Sequence, residues 1–270
     1  MDSVSSSVQE DHSNKVWMII GEGGVFLLLL FSGMIIVYRN LSKEARIARA
    51  ERNFFLSVTH ELKTPLASTK LLLQTLRTKS LEQSKQHELL DAALEENDRL
   101  ANLTENILLA ARLEHSGSIL QKQPFDYSSL VENIASSFRK GAGRFHTIIT
   151  EIETNIIING DESALTSVVS NLLDNACKYS KAHSEIRLNL TKVNGEVILT
   201  VADQGVGMPD VELAHVFKKF YRAGDERTRT TKGTGLGLFI VERIARWHSA
   251  VIKVTPNKPN GCIFTLSFPA

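Results

Sequence analysis

Bulk charge is the first thing this chain lacks. Lys and Arg number 31 against 30 Asp and Glu, a formal net charge of +1. So even a balance gives no electrostatic ground for binding nucleic acid. Cysteine is scarce: Cys177 and Cys262 stand alone, in neither a C-x-x-C nor a Cys/His pattern. They read as reduced packing residues, which argues against a disulfide framework and a structural metal. There is no internal repeat, and low complexity is confined to Ser3–Ser7. The start is not basic, since Asp2, Glu10 and Asp11 face a single Lys15, so a cleaved signal peptide is disfavoured.

What the chain does have begins with one apolar run of 23 residues, Val16–Tyr38, interrupted by Gly21, Glu22, Gly23, Gly24, Ser32 and Gly33. That length can span a bilayer as a helix. Arg39, Lys43, Arg46, Arg49 and Arg52 follow it, which orients the C-terminal side to the cytoplasm and residues 1–15 outward. Glu22 lies near the outer end, where it can snorkel to the interface. From Leu41 a heptad seam begins: Leu41, Ala45, Ala48, Arg52, Phe55, Thr59, Leu62, Leu66, Thr69, Leu73 and Leu76. It predicts a long helix in a coiled coil or bundle. Pro65 should weaken the ladder and bend that helix. A second helix, to about Glu114, carries Leu90, Ala93, Asn97, Leu100, Thr104, Ile107 and Ala111 on one face. Two such helices make a hairpin with more apolar surface than it can hide alone, so a dimeric four-helix bundle is the economical expectation.

After Gly117 the pattern changes. Pro124–Tyr127, Thr147–Ile152, Asn155–Ile158, Glu185–Lys192, Glu196–Ala202, Val251–Thr255 and Ile263–Phe268 read as strands. The fourth and fifth form a hairpin turning at Asn194-Gly195. Helices are expected over Ser129–Lys140, from an Asp161 cap to Tyr179, and over Gly235–Trp247. Together these predict a two-layer α/β sandwich with a mixed sheet.

Four stretches carry chemistry. In V-T-H-E-L-K-T-P-L, Val58–Leu66, His60 precedes an acid, Glu61. A neutral imidazole nitrogen can attack phosphorus while a carboxylate takes the proton from the other ring nitrogen. A surface histidine on an amphipathic helix is the plain alternative. In N-L-L-D-N-A-C-K-Y-S, Asn171–Ser180, Asn171 and Asn175 share a helix face with Asp174 beside them. Amide oxygens there can hold a hydrated Mg²⁺ that bridges phosphates, Lys178 adds charge and Tyr179 a ring; an ordinary polar face would look the same. In V-A-D-Q-G-V-G-M-P, Asp203 ends a strand, and its carboxylate can accept from an adenine amino group while Gly205 and Gly207 admit the ring. A plain turn shares that pattern. In K-G-T-G-L-G-L, Lys232, Gly233, Thr234, Gly235, Leu236 and Gly237 open an apolar helix whose amides can seat phosphate. It is neither a Walker A sequence nor a dinucleotide fingerprint. The charged segment before it suits a mobile lid.

In combination these motifs resemble a bacterial sensor histidine kinase of a two-component system over roughly Arg52–Pro269. His60 lies in what resembles the H-box, Asn171–Ser180 the N-box, Asp203–Gly207 the G1 box, Phe217 and Phe220 the F-box, and Gly233–Gly237 the G2 box. Thr59 and Lys63 stand where the family more often has Ser and Arg. The resemblance implies a dimerisation and phosphotransfer bundle followed by a Bergerat-type domain that binds ATP with Mg²⁺. It implies His60 as phosphoacceptor, Glu61 as its base, and Thr64 as the residue that orients water for a phosphatase activity. Asn175 would be the main Mg²⁺ ligand with Asn171 and Asp174 nearby. Lys178 and Tyr179 would contact ATP, Asp203 would hold adenine, and Arg222, Arg227 and Lys232 would be lid cations. Related hydrolases carry Glu where Asn171 stands, and an amide is no general base, which favours a kinase over an ATP hydrolase. A degenerate, non-catalytic interaction module is the other alternative.

The expected domains are 1–15 extracytoplasmic, 16–38 transmembrane, 39–52 juxtamembrane, 53–117 dimerisation and phosphotransfer, and 118–270 ATP-binding. The expected location is the bacterial inner membrane, single-pass, with the catalytic part cytoplasmic. Expected partners are a second copy, a response regulator and membrane lipid. With so little ahead of the span and so short a stretch from Tyr38 to His60, a folded periplasmic sensor and the usual helical relay are not expected. The signal should enter through the membrane helix or a partner membrane protein.

Overall fold

A computed structural model describes residues 2–114, 121–222 and 233–269. The chain divides into two compact units, Met1–Arg52 and Asn53–Ala270. The first is helical throughout its described part. It carries the apolar run, whose side chains from Val25 to Phe31 and from Met34 to Tyr38 are all exposed. By length and composition this helix can cross a membrane.

Helix α1, Asp2–Thr78, continues unbroken past Pro65. A proline removes one ladder bond, and here its ring is buried, so packing offsets that loss. In the second unit α1 is followed by α2, Gln83–Glu114. Within a single chain the seam expected on α1 is half-buried at Leu62, Thr69 and Leu76 and exposed elsewhere. Phe55 is 60% exposed and Leu66 62%, while Phe54 and Pro65 on the neighbouring face are the packed residues. The expected face of α2 also shifts. Ala93 is buried and Leu100 and Ile107 are half-buried, but Leu90, Asn97, Thr104 and Ala111 are exposed, and Ala110 and Leu113 are buried instead. The cause is a third partner. The C-terminal half of α2 packs on a helix of the α/β domain, and Ala110 and Leu113 join that domain's core. A pattern read for a helical bundle cannot anticipate this pull.

The α/β domain follows the expected two-layer plan. Strands β1, Gln123–Asp126, and β3, Ile157–Gly160, form a small antiparallel pair. The main sheet contains β2, Thr147–Ile152; β4, Glu185–Val193; β5, Glu196–Ala202; β6, Val251–Pro256; and β7, Cys262–Phe268. Its order is β2-β4-β5-β7-β6, with β2 parallel to β4 and every other pair antiparallel. Alternation sends one row of each strand inward. Leu190, Leu199 and Leu266 align across three strands, as do Leu188, Val201 and Phe264. They meet α3, Tyr127–Lys140, α4, Glu162–Tyr179, and α6, Gly237–Trp247, through Val131, Val168, Leu172, Ile240 and Ile244. Each such side chain contributes about 1.5–3 kcal/mol on burial. A short α5, Asp210–Leu213, follows β5. Helix α6 starts at Gly237 rather than the expected Gly235, because Gly235 adopts φ +71°.

Asp161 caps α4, accepting from the Ala164 amide at 3.0 Å. Its own amide donates to Nε2 of His248 at 3.0 Å, while Nδ1 lies 2.8 Å from the Ile244 carbonyl. This bonding requires a neutral ring protonated on Nδ1, and burial pushes the His248 pKa down. The unfolded chain therefore takes up this proton first as pH falls. The contribution of His248 is fully present above the unfolded value of about 6.5 and is lost as pH drops toward the folded value. In a Trp17→Phe background, with unfolding followed by Trp247 fluorescence, the denaturant midpoint should fall between pH 7.5 and 5. His248→Gln should flatten that dependence.

Candidate functional site

The site is assembled around the last turns of α4. Asn171, Asp174, Asn175 and Lys178 occupy its outer side, while Leu172, Leu173 and Ala176 fill the core. Asn171 Nδ2 donates to the Ser167 carbonyl at 2.8 Å, which leaves Oδ1 as the group available to a cation. The same nitrogen lies 3.4 Å from Asn106 Oδ1 of α2. Asp174 is open to solvent on one side but crowded by protein on the other. That crowding pushes its carboxyl up against the pull of Lys178 and Arg99. Burial pushes the Lys178 ammonium down, opposed by Asp174 and Glu61 and reinforced by Arg222 and Arg99.

The glycine run lies directly on this helix. A Cβ at Gly237 would sit 2.7 Å from Asn171 Oδ1, and one at Gly233 would sit 2.4 Å from Lys178 Nζ. Thr234 is half-buried. Leu236 is 1% exposed, so its side chain belongs to the core and only its backbone can face a ligand. The Gly235 carbonyl accepts from the Phe220 amide at 3.2 Å. Lys232, like Arg227, lies outside the described residues.

Asp203 directly follows β5 and is 5% exposed. Its Oδ1 accepts from the amides of Gly205, at 2.8 Å, and Cys262, at 3.2 Å. Burial raises its pKa, and those two amides work against the rise. With Oδ1 committed, Oδ2 is the oxygen left for a donor on a ligand. Residues not anticipated from the sequence hold this aspartate in place. Asn257 Nδ2 donates to its carbonyl at 2.7 Å, and the Asn257 amide donates to Gly261 at 2.9 Å. The only hint was turn chemistry in P-N-K-P-N-G, Pro256–Gly261. Gly205 packs against the last turn of α4, where a Cβ would meet the Tyr179 carbonyl at 2.6 Å. Gly207 takes φ +70° beside Gly261.

His60 is exposed on α1. Its neighbours meet the elements of this site on three successive turns. Phe54 stacks on Phe220, with centroids 4.1 Å apart and planes inclined by 29°. Ser57 Oγ accepts from Arg222 Nη1 at 3.1 Å. Glu61 acts electrostatically on Lys178 and pairs with Arg99 of α2 at 3.3 Å. Thr64 donates its hydroxyl to the His60 carbonyl at 3.1 Å, one turn along the helix. Phe220 holds φ +64°, an unfavourable value for an aromatic residue, and Phe217 packs on the core. Among the described residues no group of three or more His, Cys, Asp and Glu could hold a metal.

Comparison with known proteins agrees with this geometry. Residues 50–116 match the model for the His Kinase A (phospho-acceptor) domain. Residues 160–270 match the model for the histidine kinase-, DNA gyrase B- and HSP90-like ATPase. The chain is 30% identical to the sensor-like histidine kinase SenX3 of Mycolicibacterium smegmatis over 84% of its own length and 60% of that protein's. It is 28% identical to the sensor protein RprX of Bacteroides fragilis, over 91% of this chain and 48% of that one. It thus spans about three-fifths or less of these relatives. Full-length ShkA, solved in complex with AMPPNP, superposes with a TM-score of 0.55 at 25% identity, over 81% of this chain and 45% of that one. The Acinetobacter baumannii histidine kinase AdeS shares the fold with a TM-score of 0.54 at 23% identity, over 77% of this chain and 96% of that one. With both family models matched in order along the chain, and an α4–Asp203–glycine-loop cradle beside a histidine-bearing helix, this protein belongs to the sensor histidine kinases of two-component systems.

Proposed function

We propose that this chain is a membrane-anchored autokinase that phosphorylates His60 with ATP and passes the phosphoryl group to an aspartate of a response regulator. The observation that carries this reading is the meeting of α1 with the nucleotide site at Phe54, Ser57 and Glu61, on either side of His60. Asp203 Oδ2 would accept from the adenine amino group, with Gly205 and Gly207 admitting the ring and Tyr179 beside it. Lys178, Arg222, Lys232 and the amides of Gly233–Gly237 would hold the phosphates.

His60 Nε2 attacks the γ-phosphorus as the bond to the β,γ-bridging oxygen breaks, and ADP leaves. Glu61 takes the proton from Nδ1, so the phosphohistidine ring ends neutral. Catalysis is mostly positioning and charge neutralisation. Asn175 and Asn171, with Asp174 close by, suit Mg²⁺ by the chemistry of their oxygens, and Asn171 Oδ1 is left uncommitted by the bond to Ser167. When bound, that ion would neutralise charge on the phosphates. Asn171 also argues against hydrolysis, since its amide cannot activate water. In the reverse mode Thr64 would orient water against a phosphorylated regulator.

The exposed Phe55, Leu66, Leu73 and Leu94 support a second copy packing on the hairpin as a four-helix bundle. We assign residues 53–117 to this bundle, 118–270 to ATP binding, and 16–38 to a single span of the bacterial inner membrane with the catalytic part cytoplasmic. One helix, Asp2–Thr78, carries both the apolar run and His60, which supports a signal arriving through the membrane helix or a partner membrane protein. Incubation with γ-labelled ATP and Mg²⁺ should attach label that acid removes and base does not. Rapid phosphate release without phosphohistidine would replace this reading with an ATP hydrolase.

A further inference from the structure

We infer that Arg99 of α2 is a positioning residue for Glu61, holding its carboxylate beside His60 when Lys178 is drawn to nucleotide phosphate. The inference rests on the function proposed above and adds a residue of the second hairpin helix to it. Arg99 Nη2 lies 3.3 Å from Glu61 Oε2. The two side chains differ in exposure: Glu61 is 11% exposed and Arg99 48%. The carboxylate is therefore tucked between elements, and the guanidinium reaches it from the rim.

The charges around Glu61 explain why it needs a holder. Arg99 reaches Glu61 from α2 and Lys178 interacts with it from α4, while Asp174 and Arg222 act on Lys178 in turn. Among the described residues, Arg99 and Lys178 are cationic neighbours of Glu61 on two separate elements. Lys178 also lies against Gly233 of the loop that would seat phosphate. An ammonium on a flexible stem moves toward the stronger anion, so arriving phosphate takes Lys178 away from Glu61. A planar guanidinium is already ordered, and Arg99 belongs to the same hairpin as Glu61, so their pairing does not depend on where the nucleotide domain sits. Arg99 keeps the base at His60 through the step in which Lys178 changes partner. Arg99 itself is half exposed, and an ion pair reached from the solvent rim contributes little to folding. A chemical role is therefore separable from a structural one.

The test uses the full chain in lipid nanodiscs with γ-labelled ATP. In Arg99→Ala the initial rate of His60 phosphorylation at saturating ATP should fall by about tenfold, a fraction of the 10²–10⁴ that general-base catalysis supplies. The KM for ATP should stay within about twofold and the melting temperature should not move, since uniform binding is untouched. Arg99→Lys should recover part of the rate. Adding Arg99→Ala to Glu61→Gln should cost nothing beyond Glu61→Gln alone, because residues acting as a unit are not additive. Additive losses would overturn the inference, as would a raised KM with an unchanged rate at saturation. Equal loss in Arg99→Lys and Arg99→Ala would also count against it. Absence of any label in the wild type would instead overturn the autokinase reading itself.

Discussion

Replacing His60 with Gln should abolish acid-labile phosphorylation while nucleotide still binds. Glutamine is close in length to histidine, and the position is exposed, so stability should change by no more than about 0.5 kcal/mol. Its amide nitrogen shares its lone pair with the carbonyl and cannot attack phosphorus, so the loss should be complete rather than graded. Asp203, Asn171 and Lys178, proposed above to hold the nucleotide, are untouched. A fluorescent ATP analogue should therefore bind as in the wild type. Label that persists in this variant would move the phosphoacceptor elsewhere. Lost nucleotide binding would mean that His60 belongs to the ATP site itself.

The second large effect is expected at Gly261. An alanine there would place Cβ 2.0 Å from the backbone oxygen of Asp203 and 2.9 Å from its Oδ1, at φ +111°. Neither the contact nor the conformation can be relieved by rotating a side chain. The turn between β6 and β7 must move, and with it the amide of Cys262 and the side chain of Asn257 that hold Asp203. Clash and backbone strain together should cost at least about 3 kcal/mol. Nucleotide affinity should fall with stability, because the aspartate loses its fixed orientation. A calorimetric melt and a nucleotide titration check both halves. An unchanged melting temperature would show that the turn is softer than its packing implies.

Much of the fold was legible because its signals are local. The strands of the main sheet alternate with period two, as in Glu196–Ala202, and the structure keeps their bounds to within a residue or so. Asp161 was readable as a cap because a carboxylate ahead of an apolar helix has few other uses. Helix faces were less legible. Leu90, Asn97 and Thr104 fit a two-helix seam, yet α2 turns Ala110 and Leu113 toward the α/β domain. The periodicity shows that a helix has an apolar face, not which of several partners will claim it.

The candidate site divides in the same way. Residues on one element could be read together: Asn171 and Asn175 share a helix face, and Gly233, Gly235 and Gly237 share a loop. The partners that orient them could not. Asn257 and Gly261 lie more than fifty positions beyond the aspartate they hold, and Arg99 lies 38 from Glu61. Leu236, read with its glycine neighbours, turns its side chain into the core.

By itself the sequence determined the family, the apolar run, the order of elements and the chemical groups offered to a nucleotide. These depend on residue type and short spacing, which a chain carries before it folds. Only the tertiary structure decided which faces are used, which distant residues hold Asp203, and which cation stands over Glu61. Those depend on contacts between residues far apart in the chain, and such contacts exist only once burial of a shared core has brought the elements together.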